Sequence, residues 1–337
     1  MRIKTALVGY GYWGTNILRN LIENPGCDVV AVCDSSEKQL ARVRARYPHL
    51  PLVRDLESVL RSDAEAVFVV TPISTHHEIA RAALAAGKHV FVEKPMTASV
   101  AEAESLVAEA ERSRRRLMVG HTFEYNPAVT RIREIIAAGT LGRIFYISCK
   151  RVNLGIHQRD ASVIWDLAPH DFSILFHVLQ ETPLWVSASG RACIQKGIPD
   201  VAFVCMEFPS GVMAHVELSW LSPSKLRNTT IVGSQQMLVY DDTQNVEKVK
   251  IFNHGVSYKD PETFGEFQLS YRTGDILSPK IDNREPLGLE IEHFLESIRS
   301  GTAPRTDGRN GLQVVRVLEA ADASLRSQGR MMPLPQA

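Results

Sequence analysis

The stretch VGYGYWGTN, residues 8–16, decides the fold. Gly9, Gly11 and Gly14 keep the G-x-G-x-x-G spacing of a dinucleotide-binding turn. That pattern needs a strand before it, a helix after it and an acidic residue about 20 positions further on. All three are present. IKTALV (3–8) precedes the turn, a helical pattern begins near Trp13, and Asp34 closes DVVAVCD 20 residues beyond Gly14. Gly9 then permits the tight turn, Gly11 lets the backbone approach a pyrophosphate, and Gly14 lets helix and strand pack closely, while the helix N-terminus offers N–H groups to the phosphates. Tyr12 and Trp13 admit two readings: first-turn residues with Trp13 anchored in the core, or residues whose N–H groups bind phosphate and whose rings wall the site.

Asp34 also bears on which nicotinamide is used. A carboxylate there pairs with the adenosine ribose hydroxyls and repels a 2′-phosphate, so NAD is expected over NADP, with Ser35, Ser36 and Lys38 able to soften the preference.

Working outward, β-branched apolar runs alternate with amphipathic helical patterns from residue 3 to 121: IKTALV, WGTNILRNLIEN, DVVAVC, SEKQLARVRARY, EAVFVV, HHEIARAALAAG, HVFVE, AEAESLVAEAERS, LMVG. Strand–helix alternation at this spacing predicts an α/β Rossmann domain with a doubly wound parallel sheet over 1–121. Beyond His121 strand-like stretches follow one another (RIFYISCKRVN, LWVSASGRACI, VAFVCMEF, GVMAHVELSW, RNTTIVG, QMLVY), with PSG at 209–211 as a hairpin turn. Residues 122–337 are therefore expected as an α+β domain with a large, mostly antiparallel sheet, one helix after Pro169 lying against it. Two closing helices near 287–300 and 309–327 are placed to pack back on the first domain.

Composition narrows the partners. Lys plus Arg equals Asp plus Glu, 38 each, in 337 residues, so no field of one sign attracts nucleic acid or an anionic membrane. No apolar run reaches the roughly 18 residues of a membrane helix. The opening residues carry no apolar signal core. Five cysteines without a C-x-x-C pair suggest neither disulfides nor zinc. A small-molecule ligand in a reducing cytoplasm is expected.

Candidate chemistry lies in VFVVTPISTHHEIARAALAAGKHVFVEKPMT. Thr71-Pro72 follows one strand and Glu93-Lys94-Pro95 the next, at the carboxyl ends where open α/β sheets bind ligands. Taken alone, Lys94-Pro95 reads equally as a surface turn. By its place after the TP loop, His76 is a candidate contact to the nicotinamide ribose, and His77 a solvated helix residue. The pair is not read as a metal site, because adjacent helix residues diverge and nothing completes a ligand set. His121 either lines a cleft or closes a strand.

The glycine turn, the TP loop, EKP and WDLAPHD (165–171) together resemble the glucose-fructose oxidoreductase and inositol dehydrogenase family, Gfo/Idh/MocA, over nearly the whole chain. GYGYWGTN, HTFEYNPAV and the C-terminal stretches resemble members acting on sugar nucleotides. The resemblance implies that Lys94 projects between nicotinamide and substrate and that Asp166 and His170 match the family's D-x-x-x-H pair, while Tyr125 leaves the proton donor open. Neutral His170 suits a general base, with Asp166 fixing its tautomer. Lys94 either stabilises the developing alkoxide or acts as base. Pro169 suits a first helical turn, which would put His170 at a helix mouth.

Tyr125, Asn126, Arg151, Trp165, Lys225 and Arg227 are candidate substrate contacts, with Lys225 and Arg227 offering cations to a nucleotide diphosphate, unless LSPSKLRN is a solvated turn. The function expected is NAD-dependent oxidation of a secondary hydroxyl, at C3 of UDP-N-acetylglucosamine or its uronic acid, with an aminotransferase as a pathway partner. The alternatives are a free sugar or inositol dehydrogenase, a sugar ketoreductase, and a non-catalytic nicotinamide-binding regulator. A homodimer or homotetramer is expected from the resemblance.

Overall fold

The computed structural model describes residues 2–155, 157, 161–259 and 268–335. In chain order the elements begin β1 (Ile3–Val8), α1 (Gly14–Glu23), β2 (Cys27–Cys33), α2 (Glu37–Arg46), β3 (Leu52–Val53), α3 (Leu56–Arg61), β4 (Ala66–Val69), α4 (Ile73–Ala85), β5 (His89–Glu93), α5 (Val100–Ser113) and β6 (Leu117–Gly120). They continue with α6 (Pro127–Ala137), β7 (Ile144–Leu154), α7 (Val163–Leu179), β8 (Trp185–Arg191), β9 (Val201–Glu207), β10 (Met213–Ser219), β11 (Leu221–Gly233), β12 (Met237–Asp241) and β13 (Val249–Phe252). The last are β14 (Gly255–Lys259), β15 (Gln268–Arg272), β16 (Ile276–Leu277), α8 (Pro286–Ser300), α9 (Gly308–Arg326) and β17 (Met332–Pro333). Two compact units result, Met1–Tyr125 with Arg284–Arg316, and Asn126–Asn283 with Val317–Ala337.

In the first unit the sheet runs β3-β2-β1-β4-β5-β6, with every pair parallel. AVFV and HVFVE are apolar without alternation because helices cover both faces of a parallel sheet. Strand order reverses between β1 and β4, so the carboxyl ends of β1, β2, β4 and β5 form one ligand-facing edge. The core gathers Leu7, Ile17, Leu18, Phe68 and Phe91 with Leu287, Ile291, Phe294 and Leu295 of α8. Phe68 stacks on Phe91 at 5.0 Å and meets Phe294 edge-on at 5.5 Å.

In the second unit nine strands run β16-β13-β12-β11-β7-β10-β9-β8-β17, with β7 and β10 the parallel pair in a sheet otherwise antiparallel. Pro209-Ser210-Gly211 makes the β9–β10 hairpin, Gly211 at φ +81° and Phe208 N–H bonded to Val212 O at 2.9 Å. Ile147, Cys149, Val204, Met206, Ala214 and Val216 are buried on the face where α7 packs. Tyr146, Phe203 and Met213, which share the other face by register, are exposed.

Three expectations for this unit change. The helix expected after Pro169 begins at Val163, with Pro169 inside it. A second helix, α6, was not foreseen, although Asn126-Pro127 is a cap-and-first-turn signal and Val129, Ile132 and Ile135 recur at helical spacing. LSPSKLRN is strand β11, not a turn, with a register break between Leu221 and Leu226.

Candidate active site

The turn between β1 and α1 is built so that only glycine fits. Gly9 sits at φ +99°, where a Cβ would lie 2.4 Å from Val70 O, and a Cβ on Gly14 would lie 2.2 Å from Gly9 O. Gly11 by contrast faces open space. Trp13 is the N-cap of α1 and supplies no side-chain cap, so the first-turn N–H groups are directed at the same cradle, which fits a phosphate. Asp34 accepts the Tyr10 N–H at 2.7 Å and the Ser36 N–H at 2.8 Å. A half-buried carboxylate fixed at the end of β2 fits a ribose diol. Asp34→Ala is expected to lower the preference for NAD over NADP by about tenfold or more, since a charged hydrogen bond is worth ~1.5–3 kcal/mol. An unchanged ratio of kcat/KM for the two cofactors would remove Asp34 from this role.

Tyr12 is 88% exposed, and Trp13 is not a core residue but 38% exposed. The Trp13 indole lies near enough to the Glu93 carboxylate to favour its ionised form. No local sequence signal carries that pairing.

Thr71 and Pro72 follow β4, and Lys94, half-buried, follows β5. His76 stands between these two loops. Its Nδ1 lies 2.9 Å from Pro95 O and its Nε2 2.8 Å from Thr71 O. Burial pushes its pKa down, against the two carbonyls, which favour the cation. At 1% exposure and engaged at both nitrogens, His76 has no edge to offer a ribose. It bridges the TP and EKP loops. His77, by contrast, lies 3.2 Å from Ser105 Oγ on an exposed bond.

His121 is buried beyond β6, and neither ring nitrogen has a hydrogen-bond partner among the described residues. Burial, helped by the charge on Lys94, takes its pKa down to about 3. Tyr125 is also buried, its hydroxyl 3.1 Å from Thr306 Oγ1 and its ring under the Arg305 guanidinium. Burial pushes its phenol far above the usual range. That environment packs the Tyr125 ring and hydroxyl inside the first unit. Asn126 likewise accepts the Ala128 N–H at 2.9 Å as the cap of α6 and donates to Tyr240 Oη at 3.3 Å.

In the second unit Asp166 and His170 are four residues apart in α7, hence neighbours on one helix face. His170 is therefore mid-helix, not at a helix mouth. Pro169 lacks the N–H that would bond Trp165 O. The Asp166 carboxylate accepts the indole N–H of Trp220 at 3.1 Å. Trp165 is half-buried on the same turn as Asp166.

Arg151 departs most from expectation. It is 4% exposed and bidentate to Asp171 of α7, at 2.6 and 3.1 Å. Burial opposes its charge, but the Asp171 carboxylate holds the guanidinium charged, so the structure gives Arg151 an internal ion pair. Arg227 stands opposite Arg151 in register, on the same sheet face, with Asp242 at 3.7 Å. Lys225 is exposed where β11 leaves the ladder.

Among the described residues no His, Cys, Asp and Glu cluster could hold a metal ion, and no helix is long and apolar enough to cross a membrane.

Residues 3–121 match the family described as "Oxidoreductase family, NAD-binding Rossmann fold", and residues 129–239 match the "GFO/IDH/MocA C-terminal domain". The chain is 26% identical to the scyllo-inositol 2-dehydrogenase (NAD(+)) of Bacillus subtilis, over 90% of this chain and 88% of that protein. It is also 26% identical to the UDP-N-acetylglucosamine 3-dehydrogenase of Acidithiobacillus ferrooxidans, over 94% and 95%. A solved structure of the latter superposes with a TM-score of 0.81 at 25% identity, covering 97% of this chain and 98% of that one.

Proposed function

Because the chain belongs to the GFO/IDH/MocA family of NAD-binding oxidoreductases, we propose that the secondary hydroxyl it oxidises is carried by a nucleotide-linked sugar, at C3 of UDP-N-acetylglucosamine or its uronic acid. NAD, when bound, accepts the hydride. His170 takes the hydroxyl proton, held in orientation by Asp166, which Trp220 in turn fixes. The Lys94 ammonium stabilises the developing alkoxide. The observation that carries the substrate is the likeness to UDP-N-acetylglucosamine 3-dehydrogenase along almost the full length of both chains. Lys225, exposed on β11, is the cation offered to the diphosphate.

An equal identity to a scyllo-inositol dehydrogenase favours a second reading, oxidation of a free polyol. The two separate on mixing protein and NAD with UDP-hexosamines, free sugars and inositols, with and without 2-oxoglutarate. Reduced-nicotinamide absorbance, or turnover that appears only when the 2-oxo acid reoxidises retained cofactor, is expected with the UDP-sugars. Signal confined to free polyols would establish the second reading.

The same proposal includes a second copy of the chain, as dimer or tetramer, seated on the exposed face bearing Tyr146, Phe203 and Met213. The described cysteines are free thiols, Cys27, Cys33 and Cys149 buried, which suits a reducing cytoplasm. A ketone at C3 would then be the substrate of an aminotransferase.

A further inference from the structure

Buried carboxyls gather around Glu93 in the first unit, with Lys94 the cation beside it. Glu93 lies flat against the backbone of Gly120: a Cβ built there would sit 3.2 Å from its Cδ and from both carboxylate oxygens. One Glu93 oxygen takes the Lys94 N–H at 3.3 Å, the nearby Trp13 indole favours the ionised carboxylate, and Oε1 has no partner among the described residues. Glu290 of α8 is 0% exposed. It accepts the Thr122 hydroxyl at 2.7 Å, and its Oε1 likewise has no partner among the described residues. Glu124 takes Asn310 at 3.2 Å. His121 completes the group with both ring nitrogens unbonded among the described residues.

Such a cluster cannot keep every carboxyl ionised beside one ammonium, because charge repulsion and burial both favour the neutral acids. Glu290 is pushed well up, by burial and then by Glu93. His121 is held neutral, and His76 is pushed down. Glu93, raised by burial to about 7 against the opposing Lys94 charge and Trp13 hydrogen bond, is the member that titrates near neutrality.

With Asp34 on the adenosine side, the other half of a dinucleotide falls across the ends of β4 and β5 by the two-halves rule of this fold. Glu93 and Lys94 stand there. Oxidising one CH–OH to C=O gives one hydride to NAD+ and releases the hydroxyl proton, and the nicotinamide ring loses its positive charge in the same step. We infer that Glu93 is the group that answers this charge change, a carboxylate beside the oxidised cofactor and a carboxylic acid beside the reduced one, taking back one proton equivalent per turnover. This rests on the NAD-dehydrogenase reading and on no particular sugar. Glu93 acts on the ionisation of the site and on the affinity for each redox form, so it is a positioning residue.

The test needs no sugar. Fluorescence or calorimetric titration of the whole protein with NAD+ and with NADH, between about pH 6 and about pH 8, is expected to show NAD+ binding tightening about tenfold with rising pH while NADH binding does not tighten. The sign follows from charge: ionised Glu93, present at the higher pH, attracts the positive ring. In Glu93→Gln the two curves should become parallel. Trp13→Phe, which removes the donor favouring ionised Glu93, should move the midpoint to higher pH, and it serves as the test if the Gln variant does not fold. A pH dependence that survives Glu93→Gln, or a midpoint unmoved in Trp13→Phe, would overturn the inference and leave the dehydrogenase reading intact. Absence of NAD binding altogether would instead sink the reading on which it rests.

Discussion

Lys94→Ala is expected to lower kcat by about 10³-fold while leaving the Kd for NAD within a few-fold of native, in line with loss of one preorganised charge at a developing oxyanion. The split follows from placement. The groups that fit the adenosine and pyrophosphate parts of the cofactor, the Gly9–Gly14 turn and Asp34, belong to β1, α1 and β2, whereas Lys94 follows β5. Its ammonium is instead the nearby cation for Glu93 and His121. Removing it should therefore cost chemistry and not the fold, so the thermal midpoint should move little. Stopped-flow reduction of NAD alongside equilibrium cofactor binding reads both quantities. Full turnover in Lys94→Ala would refute the proposed site.

Asp171→Ala should do the opposite. It leaves the Arg151 guanidinium, 4% exposed, without its bidentate partner, and breaking a buried pair from one side costs ~3–5 kcal/mol. A fall in Tm of roughly 10 °C is expected. Replacing both members, Arg151→Met with Asp171→Leu, should recover most of the loss, because buried ion pairs contribute little over apolar residues of similar volume. If Arg151 served the substrate directly, the double variant would stay stable and lose its affinity for substrate; an unchanged KM there supports the internal role.

These two residues mark what a sequence makes legible. Gly9, Gly11, Gly14 and Asp34 can be read because their function depends on short spacing between a strand and a helix, which sequence preserves. Lys94 stood out only through the resemblance of EKP to the family motif, because Lys94-Pro95 taken alone reads as a surface turn. The pairing of Arg151 with Asp171 carried no sequence signal because it is reached only when strand β7 and helix α7 pack. The Tyr125 contact was invisible for the same reason, since Thr306 lies 181 residues away. Pro169 misled by a sound local rule: proline favours first turns, but here interior packing of α7 tolerates the lost hydrogen bond. Glu290 carried no signal at all, because a glutamate in an amphipathic helix ordinarily faces water.

The Phe294 ring set edge-on to Phe68 has a consequence for how the protein is made. The first unit's core includes Leu287, Ile291, Phe294 and Leu295, which leave the ribosome only after residues 126–283 of the second unit have been synthesised. Residues 1–125 must then wait with Phe68 and Phe91 uncovered on one side during translation, in contrast to the usual order in which an N-terminal domain folds first. The nascent Rossmann sheet is the stage at which this chain is most exposed to aggregation and most in need of a chaperone, and a truncation before residue 284 should release a protein that cannot close its nucleotide-binding half.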